Sequence, residues 1–164
     1  MALYVCELNE EDVVAAEEQA SAHAQGSDEI NENKKKGNLG EIAFQKFCEK
    51  ELSRNYNWMH DSQMEKGEAE HDQHDFRLGK ATVDVKTRQD ITDFRPDEMP
   101  DSGSTSDVYV FVLLNFNCKH ATILGWATHH ELLGEGTGLS NPFPTVVDPI
   151  ILRNIEELEP WVSW

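Results

Sequence analysis

Cysteine is scarce in this chain. Cys6, Cys48 and Cys118 are the only three in 164 residues, and no two form a CxxC pair. That rules out a disulfide framework and a zinc knuckle, and it leaves the chain one thiol short of four cluster ligands. No apolar run approaches the ~20 residues of a membrane span. The opening MALYVCELNEED lacks the basic region and apolar stretch of a signal peptide. A water-soluble, cytoplasmic protein is expected, with no membrane partner. There is no internal repeat. Positive charge is scarce as well: 14 Lys and Arg stand against 31 Asp and Glu, a net charge of −17. Polyanions bind chiefly through cationic neutralisation, so this balance is the strongest compositional objection to a nucleic-acid partner.

The length suits one hydrophobic core. Residues 1 to 6 read as a short strand. Residues 9 to 25 read as an acidic helix capped by Asn9, with Leu8 and Val13 as a hydrophobic staple. Few large apolar residues line that helix, so it is expected to pack peripherally or against a second subunit in a homodimer. GSDEINENKKKGN, residues 26 to 38, reads as a polar linker, dividing residues 1–36, an acidic helix and linker, from a main domain over 37–164. Residues 89 to 106 and 134 to 149 are rich in Gly, Pro and small polar residues and read as long loops; the first lies beside the site described next. A short helix and an aromatic tail close the chain.

The segment HDFRLGKATVDVKTR, residues 74 to 88, carries the most chemistry. Gly79-Lys80 is a Gly-X pair of the kind a two-residue type II′ turn prefers, because Gly tolerates the positive φ at its first position. That turn sets Leu78 against Ala81, Arg77 against Thr82, Phe76 against Val83, and Asp75 across from Asp84. By the strand period of two, Asp75, Asp84 and Lys86 then share a face. Two carboxylates with Cβ atoms ~5 Å apart repel by roughly 3 kcal/mol at an effective dielectric of about 20. Lys86 alone would leave one acid uncompensated, whereas a hard divalent cation, Mg²⁺ or Mn²⁺, accepts oxygens from both. The competing reading is a solvated hairpin face in an acid-rich chain.

A third acid is offered by NLGEIAFQKFCEKELSRN, residues 38 to 55, which has a helical period with Asn38 as N-cap. Glu41 lies in the row of Phe44, Cys48 and Leu52, on the core side of the helix. It reads either as a carboxylate seeking a partner or as a capping acid that gains from the helix dipole.

Together these residues resemble the PD-(D/E)xK nuclease superfamily. The matching pieces are GNLGEIAFQKF for the acid-bearing helix, HD at 74 to 75, and DVK at 84 to 86. DVYVFVLL, ATILGWA and a helix opened by HHELL then stand for the later elements. The resemblance covers roughly residues 37 to 133; His74 stands where the superfamily's nominal pattern has Pro. It implies an α/β, restriction-endonuclease-like core of αβββαβ type, a mixed four- to five-stranded sheet flanked by helices. It also implies Mg²⁺-dependent hydrolysis of phosphodiesters, with DNA as the expected substrate. Glu41, Asp75, Asp84 and the backbone carbonyl of Val85 would hold metal, and Lys86 would assist the attacking water.

The cations that exist are grouped. Lys36 lies just ahead of the Glu41 helix, Lys46 rides on it, and Arg77, Lys80 and Arg88 ride the hairpin, so they are candidates for tracking a nucleic-acid backbone. The acidity would then coat other faces, or reflect a halophilic or viral origin. It also suits two alternatives: a non-catalytic nucleic-acid- or protein-binding module, and an acidic DNA mimic. His74 alternates away from Asp75, His71 and Asp72 read as loop residues, His129-His130 as a helix start, and Trp126 as core.

Overall fold

The computed structural model describes residues 3–22, 28–52, 58–60, 74–94, 106–133 and 152–158. It is a mixed α/β fold whose elements run β1 (Tyr4–Glu7), α1 (Glu10–Ala22), α2 (Asp28–Glu51), β2 (Trp58–His60), β3 (Phe76–Leu78), β4 (Ala81–Arg88), β5 (Val108–Leu114), β6 (His120–Thr128) and α3 (His129–Leu133). The six strands form one sheet in the order β1-β6-β5-β4-β3-β2. All neighbours are antiparallel except β4 and β5, which run parallel. The sheet is wider than the four to five strands expected. β1 and β2 extend it at opposite edges, and no sequence signal had marked β2. The loop expected over 134 to 149 and the residues His71 and Asp72 lie outside the described residues.

α1 begins as its sequence dictates. Asn9 Oδ1 accepts from the Asp12 N–H at 2.9 Å while Asp12 Oδ2 accepts from the Asn9 N–H at 2.8 Å, a capping box closed by Asp at the third helical position. Leu8 is buried beside a half-buried Val13, completing the staple.

α2 departs from expectation. The segment read as a linker forms the first turns of a 24-residue helix, which runs straight across the proposed boundary between residues 36 and 37. Asn38 is consequently no cap; its side-chain amide donates to Ala16 O at 3.2 Å. Polar residues suffice for this half because α1 supplies the partner. Small buried residues, Ala16 and Ala20, let the two helices approach, and Lys35 reaches Glu17 at 2.8 Å.

The sheet has a core on each face. Leu39, Ala43, Phe44, Phe47 and Cys48 of α2 pack on Val83, Val85, Val110 and Val112, with Phe44 meeting Phe76 edge-to-face at 5.0 Å. Burial pushes the Cys6 and Cys48 thiols up, so both remain protonated. On the other face Phe94, Tyr109, Phe111, Leu124 and Leu132 form a smaller cluster. Trp126 is fully buried and His129 opens α3, both as the sequence suggested.

Candidate functional site

The hairpin closes in the expected register: Phe76 pairs Val83, Arg77 pairs Thr82 and Leu78 pairs Ala81. Gly79 has φ of +60°, while Cys118 is the one non-glycine residue with positive φ among the described residues. Lys80 therefore keeps a negative φ, and the turn has the II′ sense.

β3 ends at Phe76, but β4 runs on to Arg88. Among the described residues, β4 from Asp84 onward is paired on one side alone, by β5. Asp75 finishes the missing ladder. Its N–H donates to Val83 O at 3.1 Å, and its carboxylate Oδ2 accepts from the Val85 N–H at 2.7 Å. The N–H and C=O of one strand residue point the same way, so the Val85 carbonyl faces this same vacated side. The Thr87 carbonyl, two residues on, takes the Arg88 guanidinium at 2.8 Å.

Asp84 and Lys86 lie on one face of β4 and are ion-paired at 2.9 Å, with side chains 15% and 19% exposed. The Lys86 ammonium stands 6.0 Å from the centre of the Tyr109 ring. Glu41 approaches from α2, where its neighbour Gly40 lies so close to β4 that a Cβ there would meet Thr87 Oγ1 at 1.8 Å. A glycine brings the helix down onto the strand, and Glu41 with it.

The electrostatics report the convergence. Burial raises the Asp75 carboxyl well above its ordinary range, and the charges of Glu41 and then Asp84 raise it further. The Val85 N–H and Lys86 oppose them. Asp75 thus lies within electrostatic reach of Glu41 on one side and of the Asp84–Lys86 pair on the other.

These oxygens are the hard donors that Mg²⁺ or Mn²⁺ takes. Among the described residues, however, no three His, Cys, Asp or Glu side chains are gathered into a formed cage. Asp84 is engaged by Lys86 instead, and one Asp75 oxygen by Val85. The donor set suits a divalent ion in kind, and these side chains would have to turn inward to hold it.

The remaining cationic candidates do not form one groove. Lys46 is paired with Asp12 and donates to Glu7 O at 3.3 Å, on the β1 side of the sheet. Arg77 and Lys80 lie on β3 and its turn, beyond β6, β5 and β4 in the strand order. Lys36 sits half-buried in the first half of α2 rather than in a linker. Only Arg88 lies on the vacated stretch of β4.

Three residues near the site were not assigned to it from sequence. His74 is buried, with Nδ1 hydrogen-bonded to Ser106 Oγ at 2.7 Å, and the Ser106 N–H donates to Tyr109 Oη at 3.2 Å. Ser106 belongs to a stretch that carries only loop signals. Tyr109 reads as one of several core residues until the parallel pairing places it beside Asp84.

The fold defines a mixed α/β protein in which Asp75 stands next to the Asp84–Lys86 pair and within reach of the Glu41 charge. The chain belongs to the DUF7961 N-terminal domain family, which matches residues 3–159. No curated protein and no solved structure matches it.

Proposed function

We propose that this chain is a divalent-metal-dependent nuclease of restriction-endonuclease-like architecture that hydrolyses phosphodiester bonds, with DNA as substrate. One observation carries the reading: the half-buried Asp75 carboxyl, just past the end of β3, feels the charges of Glu41 and Asp84, and both raise its proton affinity. Such like charges are relieved by a cation, and these are oxygen donors.

In this reading Glu41, Asp75, Asp84 and the Val85 carbonyl hold Mg²⁺, or Mn²⁺ in its place. A bound divalent ion would supply an activated water and neutralise charge on the phosphate oxygens. The chain's own residues do the rest. Asp75 is oriented by the Val85 N–H, and Lys86 exchanges its pairing with Asp84 for contact with the phosphate and the attacking water. The Tyr109 ring beneath Lys86 restricts where its ammonium can swing.

The test is incubation of the purified protein with circular and linear DNA in Mg²⁺, Mn²⁺ or EDTA. Cutting should require metal, vanish in Asp84→Ala, and fall by roughly 10²–10⁴-fold in Lys86→Ala. Metal-independent cutting, or cutting unchanged in both variants, would refute the assignment.

A second reading, a non-catalytic binding module that retains the fold, is favoured by the spending of Lys35 and Lys46 on Glu17 and Asp12. It predicts no cutting under any metal.

A further inference from the structure

We infer that His74 and Ser106 are positioning residues for the carboxylate site: their buried side-chain hydrogen bond clamps Asp75 at the end of β3 and ties it to the strand beneath Lys86. The inference rests on the nuclease reading and identifies what holds that site in shape.

Asp75 lies just past the last residue of β3, where the ladder no longer dictates its position. Val83 O and the Val85 N–H hold Asp75 from the β4 side, and its upstream side is held by the residue before it. His74 is 8% exposed and Ser106 1% exposed, and their 2.7 Å hydrogen bond joins the approach to β3 with the approach to β5.

The anchor itself is fixed. The Ser106 N–H donates to Tyr109 Oη at 3.2 Å. The next residue, Asp107, accepts from the Thr82 N–H at 2.9 Å through its carboxylate, and its backbone N–H donates to Thr82 Oγ1 at 3.0 Å. Residues 106 and 107 are thereby pinned to β4 and β5 together.

Tyr109 closes the circuit. Its phenol oxygen is held by Ser106, and its fully buried ring lies 6.0 Å from the Lys86 ammonium. One connected set of contacts runs from Asp75 through His74, Ser106 and Tyr109 to Lys86, joining the metal-holding and water-handling halves of the site. Preorganisation of this kind sets metal affinity and rate, because a loosely held ligand must be ordered on every binding event.

The experiment compares the full chain with Ser106→Ala, His74→Ala and His74→Asn. Three quantities are read: Mn²⁺ affinity by calorimetry, melting temperature in EDTA, and kcat and KM on plasmid DNA. Ser106→Ala and His74→Ala should weaken Mn²⁺ binding by about tenfold or more. Their kcat should fall while KM for DNA holds. His74→Asn should restore most of both, because the Asn Oδ1 falls near the position of the imidazole Nδ1.

If His74→Ala does not fold, Ser106→Ala carries the test, since it removes a single oxygen. Wild-type Mn²⁺ affinity and kcat in a folded Ser106→Ala, with the native protein active, would overturn the clamp while leaving the nuclease reading intact. A native protein that neither binds Mn²⁺ nor cuts DNA would remove the nuclease reading, and the clamp's role with it.

Discussion

Asp75 concentrates the electrostatic cost of this molecule. Its proton affinity is raised in the folded state, first by burial and then by Glu41 and Asp84. The folded chain therefore holds a proton that the unfolded chain releases near the ordinary carboxylate pKa, ~3.9. Between that value and the raised one, the native state binds more protons, so stability falls as pH rises and stays reduced above the folded pKa. Asp75→Asn keeps an oxygen acceptor for the Val85 N–H and deletes the charge. In EDTA at neutral pH it should be more stable than the native chain, an advantage that shrinks toward pH 4. Urea unfolding across pH measures this, and equal or lower stability of the variant at neutral pH would contradict the argument. Millimolar Mg²⁺ or Mn²⁺ should reverse the order, raising the melting temperature of the native chain and not that of Asp75→Asn.

At the scale of elements, α2 and β4 decide whether three carboxylates meet. The Gly40 contact allows the helix to lie on the strand, since a Cβ would sit 1.8 Å from Thr87 Oγ1, 2.9 Å from its Cβ and 3.0 Å from its Cγ2. Gly40→Ala improves helix propensity by about 1 kcal/mol, but overpacking costs roughly 1–3 kcal/mol. The net result should be destabilisation with loss of metal binding, as Glu41 is levered away. Adding Thr87→Ala removes the shortest clash and leaves the 2.9 Å one, so recovery should be partial. Thr87→Ala alone should be near neutral, because the buried Thr87 hydroxyl has no hydrogen-bond partner among the described residues. Denaturant midpoints and Mn²⁺ calorimetry on the three variants check each step. α1 supplies a simpler case: Asn9→Ala should cost about 1 kcal/mol, through loss of the cap to the Asp12 N–H.

For the whole molecule, the net charge of −17 is the governing quantity. Like charge spread over a small domain opposes the compact state, and salt screens it. Raising NaCl from about 0.1 to about 1 M shortens the Debye length from ~10 to ~3 Å. The melting temperature in EDTA should climb by several degrees over that range. A flat or falling profile would show that specific ion pairs such as Lys46–Asp12 outweigh the general repulsion. No helix among the described residues is long and apolar enough to cross a membrane.

Local chemistry was legible wherever one segment sufficed to specify it. Gly79-Lys80 dictated the turn, and the turn dictated the register from Leu78–Ala81 to Phe76–Val83; the expected pairing of Asp75 with Asp84 lies one step past the end of β3, where the Asp75 N–H turns to Val83 O instead. Asn9 with Asp12, and Leu8 with Val13, dictated the start of α1. What the chain could not announce from neighbours alone was decided by packing between distant segments. The polar stretch before residue 38 reads as linker because its own residues bury little; it is helix because α1 lies along it and receives Lys35 and Asn38. Glu41 taken alone reads first as a capping acid; that it lies mid-helix and near Asp75 emerges only when α2 extends back to Asp28 and Gly40 seats against Thr87. Ser106 has no signal at all, since its partner His74 stands 32 residues away. Turns and caps are short-range hydrogen-bond problems that a few residues solve. Convergence at a site depends on which faces the core brings together, and that is settled only when the whole chain has buried its apolar surface.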